Sequence, residues 1–360
     1  MLSKMWICFI LIICGVEFAE AFPDTIRHGY TNCTTCHVSP SGGGLLNGYG
    51  RSLSRELMST WSFKNEEQPL HGLAPIPESI IETFFFGGDS RYVSRKTESG
   101  NKKVDEGFLM QMQLRFGVAY NKFKLLAAFG KIENPRQTKS VQIVSPEYYI
   151  LWNPKEEMHF RAGRFEPIYG LRLPDHNLWI KSEIGFVPWL ERDALEFIYE
   201  GEAQFASLSG FQSTSKVSPS EQATGYSVSF NQIIFEKSRI GFSAMNTEGQ
   251  GRRQRASSLH GIFSFSEKSY LMTEVSRILT NDSSIDAGLL RYGYEIAKGL
   301  TPIVQLQNRI VKSTDTNQSK NGIGWIWLPR PHFELMGMVE ESRSSEGSSR
   351  EGTLMFHYYF

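Results

Sequence analysis

After its first two dozen residues this 360-residue chain has no run of about 20 apolar side chains, the length a helix needs to cross a bilayer, so any membrane-spanning form must be a closed barrel of strands. Net charge is missing too: 38 Lys and Arg balance 38 Asp and Glu, which leaves no basic field for nucleic acid or an acidic partner. Cysteine is scarce. Of the four, Cys8 and Cys14 sit in the leading apolar stretch, and the other two, Cys33 and Cys36, lie too close together to staple a disulfide-built domain. His159, His260, His332 and His357 fall on separate stretches with no Ser-His-Asp constellation around them, which argues against a hydrolase.

What is present begins with an export signal. Lys4 gives a positive start, Trp6 to Val16 an apolar run, and Ala19-Glu20-Ala21 a small-x-small cleavage site, so residues 1–21 are a signal peptide and the mature chain begins at Phe22. Cys14 follows Ile13, where lipid attachment wants a small side chain, so a lipoprotein is disfavoured. Residues 22–77 form a compact segment and linker. Leu46, Tyr49, Leu53, Leu57 and Trp61 recur at three- and four-residue steps and predict one helical face; Gly42-Gly43-Gly44 precedes them, and a Pro-containing linker, Leu70 to Pro77, ends the segment.

Residues 78–360 change to period two. Phe108, Met110, Met112, Leu114, Phe116, Val118 and Tyr120 share one predicted face, against Gln111, Gln113, Arg115, Gly117 and Ala119 on the other. Similar alternation marks Tyr148-Ile150-Trp152, Leu195-Phe197-Tyr199, Tyr226-Val228-Phe230 and Leu259 to Phe265. About sixteen strands are expected from Ile80 onward. Tight links fall near Asn121, Asn153-Pro154, Gly201, Lys237, Glu267, Lys298 and Pro329-Arg330-Pro331, and longer polar loops near 95–105, 133–143, 165–192, 212–223, 246–255, 279–284, 312–320 and 342–350. Short turns at one rim and long loops at the other are the asymmetry of outer-membrane barrels. A secreted sandwich would alternate in the same way, with its oily faces turned inward.

The fold class expected is therefore mainly β: a transmembrane antiparallel barrel of about sixteen strands, with a small α-helical segment ahead of it. An even strand count puts both chain ends on the short-turn, periplasmic side. Leu354, Phe356, Tyr358 and Phe360 alternate to the last residue and resemble the terminal strand that the barrel-assembly machinery of the outer membrane recognises. Outer-membrane lipid is then the solvent of the wall.

Cys33-Thr34-Thr35-Cys36-His37 has the spacing by which two thiols reach the two vinyl groups on one porphyrin edge while the next imidazole turns under the ring. A disulfide loop and a zinc site compete for the same cysteines, but zinc wants about four ligands and no second Cys pair supplies them. The segment resembles a c-type cytochrome over Phe22 to about His71. That resemblance implies one covalent haem c on Cys33 and Cys36, with His37 as proximal iron ligand. For the sixth position His71 and Met58 are equal candidates, and His28 is third.

The third long loop, Phe165 to Arg192, carries Arg172, Asp175 and Lys181. In sixteen-stranded porins, which this architecture resembles, the third loop folds into the lumen, so these three are candidates to line a constriction. An ordinary exposed loop is the alternative reading. The whole resembles a porin–cytochrome fusion, an electron carrier or channel rather than an enzyme, with the haem segment in the periplasm. It implies electron transfer at the periplasmic face with a periplasmic redox partner. The alternative is a diffusion channel whose haem segment is a plug, tether or sensor, and homo-oligomers are common among porins. Peroxide or nitric oxide chemistry at an open iron position is a third reading.

Overall fold

Alternating apolar and polar residues rich in aromatic and β-branched side chains favour strands wherever one face is oily and the other is not. In the computed structural model that tendency runs from Phe84 to the end of the chain. It describes residues 25–30, 32–72, 76–132, 142–144, 147–173, 175, 177–184, 191–212, 223–249, 252–345 and 347–360; the expected signal peptide and mature start at Phe22 lie outside the described residues. The first strand, Phe84–Ser99, pairs antiparallel with the second, Lys102–Tyr120, and also with the last, Gly347–Tyr359. The sheet therefore closes on itself and has no edge. It has sixteen staves, because Gln142–Val144 and Tyr148–Lys155 both pair with Phe123–Ile132 and make one interrupted stave.

The oily face points outward. Tyr120, Leu195 and Ile323 are 75%, 69% and 67% exposed, whereas the inward Ser243, Ser276 and Arg161 are 0 to 1% exposed. A sandwich would reverse this order. An apolar outer band around a polar interior is what a bilayer demands of a barrel.

Three expectations need correction. Ile80 lies in a short helix, Glu78–Thr83, so the first strand starts at Phe84. In the second strand the pairing shifts between Arg91 and Tyr92, whose partners are Gln111 and Leu109. The extra residue turns Phe108 away from the face of Met112 and Leu114 to pair with buried Val93, and Arg95 lies over its ring at 5.8 Å.

The third correction concerns loop length. Five of the eight polar passages read as long loops are strand, reaching tight tips where Ser99 pairs with Lys102, Gly249 with Arg252, Leu279 with Ser284, Val311 with Thr316 and Ser344 with Gly347. Polar side chains on both faces look like a loop in sequence, yet above the hydrocarbon a strand wall is wet on both sides. The long connections are those around 133–141, 166–191 and 213–223, all on the same rim; 133–141 and 213–222 lie outside the described residues.

The lumen is filled by the chain itself. Val38 and Leu45 from the leading segment and Tyr169 and Ile184 from the third loop share one buried cluster with inward wall residues such as Tyr149 and Phe211. A second cluster joins Ile26 to Leu171, Leu173 and Ile180 of the loop and to Tyr270 and Met272 of the wall.

Candidate functional site

The Cys-Thr-Thr-Cys stretch is one helical turn, Cys33–Cys36, closed by His37 N–H donating to Cys33 O at 2.8 Å. Its end would leave carbonyls unsatisfied. Asn47 answers that need: its Nδ2 donates to Thr34 O and Thr35 O, each at 3.0 Å, while its Oδ1 accepts from Gly50 N–H at 2.8 Å and caps the next helix, Gly48–Leu53. One side chain thus locks the cysteine turn to the helix behind it. Gly50 must be glycine, because a Cβ there would sit 2.2 Å from Cys36 O.

That helix runs on as a wider turn, Ser54–Met58, so the expected helical face is real but shorter than its pattern. Leu46, Leu53 and Leu57 pack with Cys36 and Tyr30, while Tyr49 and Trp61 are 51% and 60% exposed.

From His37 the chain makes a small hairpin, with Val38 N–H donating to Leu45 O at 3.0 Å and Asn47 N–H to Cys36 O at 2.9 Å. Its tip is Gly42-Gly43-Gly44, with φ of +72°, +71° and +63°, a left-handed run that side chains resist. Each glycine meets something different. A Cβ on Gly42 would lie 3.3 Å from Cys33 Sγ, the Gly43 backbone hydrogen-bonds the His37 ring, and a Cβ on Gly44 would lie 3.4 Å from Arg115 Nε. No strand precedes these glycines and no Lys-Ser or Lys-Thr follows, so they are not a phosphate loop.

Burial sets the protonation of this group. The Cys36 thiol is pushed up to about 11 by burial alone. His37 is held down to about 4, chiefly by burial, with the Gly43 backbone opposing and the Arg172 and Arg115 charges reinforcing it. The ring is therefore neutral at pH 7, the form that donates a nitrogen lone pair to a metal. Two thiols on one helical turn beside a neutral imidazole are the donor set a covalently held haem would use; the thiols themselves are packed, Cys33 Sγ against the glycine tip and Cys36, 5% exposed, against Leu53.

The sixth-ligand candidates are placed elsewhere. His71 Nε2 is 2.5 Å from Tyr358 Oη and its ring meets His332 edge-on at 3.9 Å, on the short-turn rim. Met58 is buried with its carbonyl against Gly299 on the same rim. His28 ends the turn Thr25–His28, lowered to about 4 by burial first and the Arg27 charge second; Arg27 itself is ion-paired with Glu295. The described contacts of all three run to the rim rather than to His37.

The segment enters the lumen from that rim. Arg161 Nη1 donates to Ser41 Oγ at 3.0 Å and Ser39 Oγ at 3.4 Å, Arg161 Nη2 pairs with Glu196 Oε2 at 2.5 Å, and Thr34 Oγ1 donates to Glu200 Oε2 at 3.0 Å. The chain then leaves along the rim. Thr60 and Trp61 N–H groups donate to Leu328 O and Pro329 O at 2.9 Å, and Glu66 pairs with Arg330 at 2.7 Å and accepts from Phe63 N–H at 2.7 Å.

The third loop crosses the lumen to the far wall. Leu171 N–H donates to Glu274 Oε2 at 2.7 Å, Trp179 N–H to Gln307 Oε1 at 3.0 Å, and Glu183 pairs with Arg309. Of the three residues singled out in sequence, two are occupied in holding the loop. Asp175 pairs with Arg291 at 2.5 Å, and Lys181 is buried with its ammonium on Leu173 O, its pKa lowered mainly by that burial. Arg172 differs: among the described residues its Nη1 is buried without a hydrogen-bond partner, and its charge acts on His37. Sequence reasoning did not single out Arg115, Arg161, Glu196 or Glu274. Their signal was a charged residue at an inward position of an alternating strand, which has meaning only once inside and outside are known.

No protein-family model matches the sequence, and no curated protein matches it. Solved structures do. A loop-deletion form of OmpT, an outer-membrane protein of Vibrio cholerae, aligns at a TM-score of 0.61 and 9% identity over 77% of this chain and 99% of that one. OprB of Pseudomonas putida aligns at 0.60 and 8% over 85% and 99%, and an anion-selective porin from Comamonas acidovorans at 0.57 and 9% over 77% and 99%. At such identities the likeness concerns architecture alone: this chain has the sixteen-stranded fold seen in outer-membrane porins.

Proposed function

We propose that the protein is a porin-type channel of the outer membrane whose own leading segment occupies the periplasmic half of the lumen and carries one covalent haem c on Cys33 and Cys36, with His37 on the iron. The plug is the part carried by geometry, and one observation carries it: Ser39 and Ser41 bond to Arg161, a residue 1% exposed on the inner wall, while Val38 and Leu45 complete the wall's own buried cluster. The third loop narrows the same lumen from the opposite rim. There Arg172 is the constriction charge that faces the segment, and Asp175 and Lys181 set the loop's position.

A second reading, electron transfer with a periplasmic redox partner, is favoured by where the cysteine turn sits. Haem supplies a one-electron iron couple when bound. Arg161 stands three residues into its strand from Met158, about 10 Å at the usual rise per residue, so the segment lies within the wall rather than below it. This shortens the gap across a hydrocarbon layer about 30 Å thick without closing it. Neutral His37 offers a ligand, Asn47 and Gly50 fix the turn that presents both thiols, and the packed lumen keeps bulk water from them.

Single-channel conductance of the full chain and of a form lacking residues 25–76 tests the plug. The full chain is expected to be closed or nearly so, and the shortened one open. Intact mass after expression with a cytochrome c maturation system tests the haem, since added mass must be present in the native chain and lost in Cys33→Ala/Cys36→Ala. Equal conductance of the two forms ends the plug reading, and a mass equal to the polypeptide ends the haem reading.

A further inference from the structure

We infer that Trp61 and Phe63 of the leading segment are a lipid anchor: after filling the lumen the chain hooks over the short-turn rim and sets these two rings at the headgroup boundary of the bilayer, among glycerophospholipids. The hook is made mostly of backbone. Thr60 and Trp61 N–H donate to Leu328 O and Pro329 O, both at 2.9 Å, while Thr60 Oγ1 donates to Lys298 O at 2.7 Å and accepts from Trp327 Nε1 at 3.1 Å.

Those bonds decide which side the rings are on. Trp327 belongs to the outward face of its strand, Thr316–Arg330: exposed Ile323 shares that face, and the cross-strand partner of Trp327, Leu335, pairs in turn with exposed Phe356. Trp61 meets the Trp327 ring edge-on at 5.7 Å, so it continues the oily outside of the wall and not the lumen. Phe63 is 67% exposed, with Arg330 held over its ring at 4.1 Å.

Exposed Tyr120, Phe265 and Tyr294 stand beside other tight turns of this rim, the belt that aromatic rings form where hydrocarbon meets headgroups. Trp61 and Phe63 extend it with rings from outside the barrel. Charge fits the same occupant. Lys64 adjoins Phe63, and Lys298 carries the carbonyl that Thr60 binds; both are exposed, and neither pairs with a carboxylate among the described residues, which leaves two ammonium groups for lipid phosphates. The inference is independent of the haem and of whether the lumen conducts.

The test uses the full chain in nanodiscs of phosphatidylethanolamine and phosphatidylglycerol. Subtracting the emission of Trp61→Phe from that of the native chain isolates Trp61. Lipids brominated on the chain carbons nearest the headgroup are expected to quench this difference emission, and lipids brominated near the chain ends to quench it less. Trp61→Ser/Phe63→Ser keeps the backbone bonds of the hook and is expected to be cut by trypsin at Lys64 about tenfold faster than the native chain, because the rings no longer hold the limb down. Both side chains are exposed, so the barrel is expected to fold, and a shift of electrophoretic mobility on heating checks that it has. Difference emission that ignores the shallow bromines puts the ring in water or against another protein and overturns the inference. So does a double variant cut at Lys64 at the native rate.

Discussion

The wall pairs every stave with two neighbours and returns to its own first strand, whereas the segment inside it, residues 25–72, has a few short helical turns and a single bridge between His37 and Leu46. Its private apolar cluster centres on Cys36 and Leu53. Ile26, Val38 and Leu45 instead complete clusters that belong mostly to the wall and the third loop. About fifty residues bury little apolar surface and are marginal alone, whereas the wall closes through its own strand pairing, so the wall is the host and the segment its guest. Covalent attachment of a cofactor is one means of giving such a guest a core.

The strongest way to break this comparison is to separate its parts. A chain lacking residues 25–76 is expected to fold into a heat-modifiable barrel in detergent, while a peptide of residues 22–77 without haem gives a far-ultraviolet spectrum with little helix. A well-folded haem-free peptide would remove the distinction between host and guest. The next largest effect is at the seam. Arg161 and Glu196 are 1% and 3% exposed and are bound to each other, and Glu196 also accepts from Ser209 Oγ at 2.6 Å. Arg161→Met alone strands a buried carboxylate and is expected to cost about 3–5 kcal/mol in denaturant unfolding of the barrel, whereas Arg161→Met with Glu196→Met falls close to the native value.

Much of the wall was legible before any coordinates, because period-two alternation is local and repeats on every strand. Which face was outside was legible only through company: the export signal and the aromatic last strand had to be read together with the alternation. The bulge beside Met110 was hidden, since even-numbered apolar residues continue smoothly through it from Phe108 to Tyr120. The cysteine turn was visible in five letters, but its place in the lumen was not. Ser39 and Ser41 meet Arg161 about 120 residues away, and nothing in a Ser-Pro-Ser-Gly stretch announces that partner. Likewise Asp175 and Lys181 were found as charges in the right loop, yet their pairing partners, Arg291 and the Leu173 carbonyl, assign them to holding it.

Smaller effects belong to the rim where the guest leaves its host. Glu66 is 3% exposed and binds Arg330 and the Phe63 N–H, while Arg330 also covers the Phe63 ring at 4.1 Å. Glu66→Gln keeps the shape and removes the charge, with an expected loss of about 1–2 kcal/mol in docking. Faster proteolysis between residues 59 and 72, with an unchanged barrel, is the outcome to look for. Cleavage at the native rate would mean that this clasp contributes nothing.

The smallest effect is acidification, and its sign follows from His28. Docked, this imidazole is lowered to about 4 by burial first and Arg27 second; released, it returns to the ordinary value of 6.5. Between those values the released segment binds more protons than the docked one, so docking is complete above about pH 6.5 and weakens as pH falls toward 4. Trp61 meets Trp327 at 5.7 Å across the rim, so indole fluorescence reports release directly. His28→Gln is expected to flatten this response without abolishing it, because burial also holds His37 down to about 4 and His71 below its usual range. An unaltered pH response in His28→Gln would show that the acid sensitivity of docking belongs to His37 and His71 and that the first turn is only a passenger.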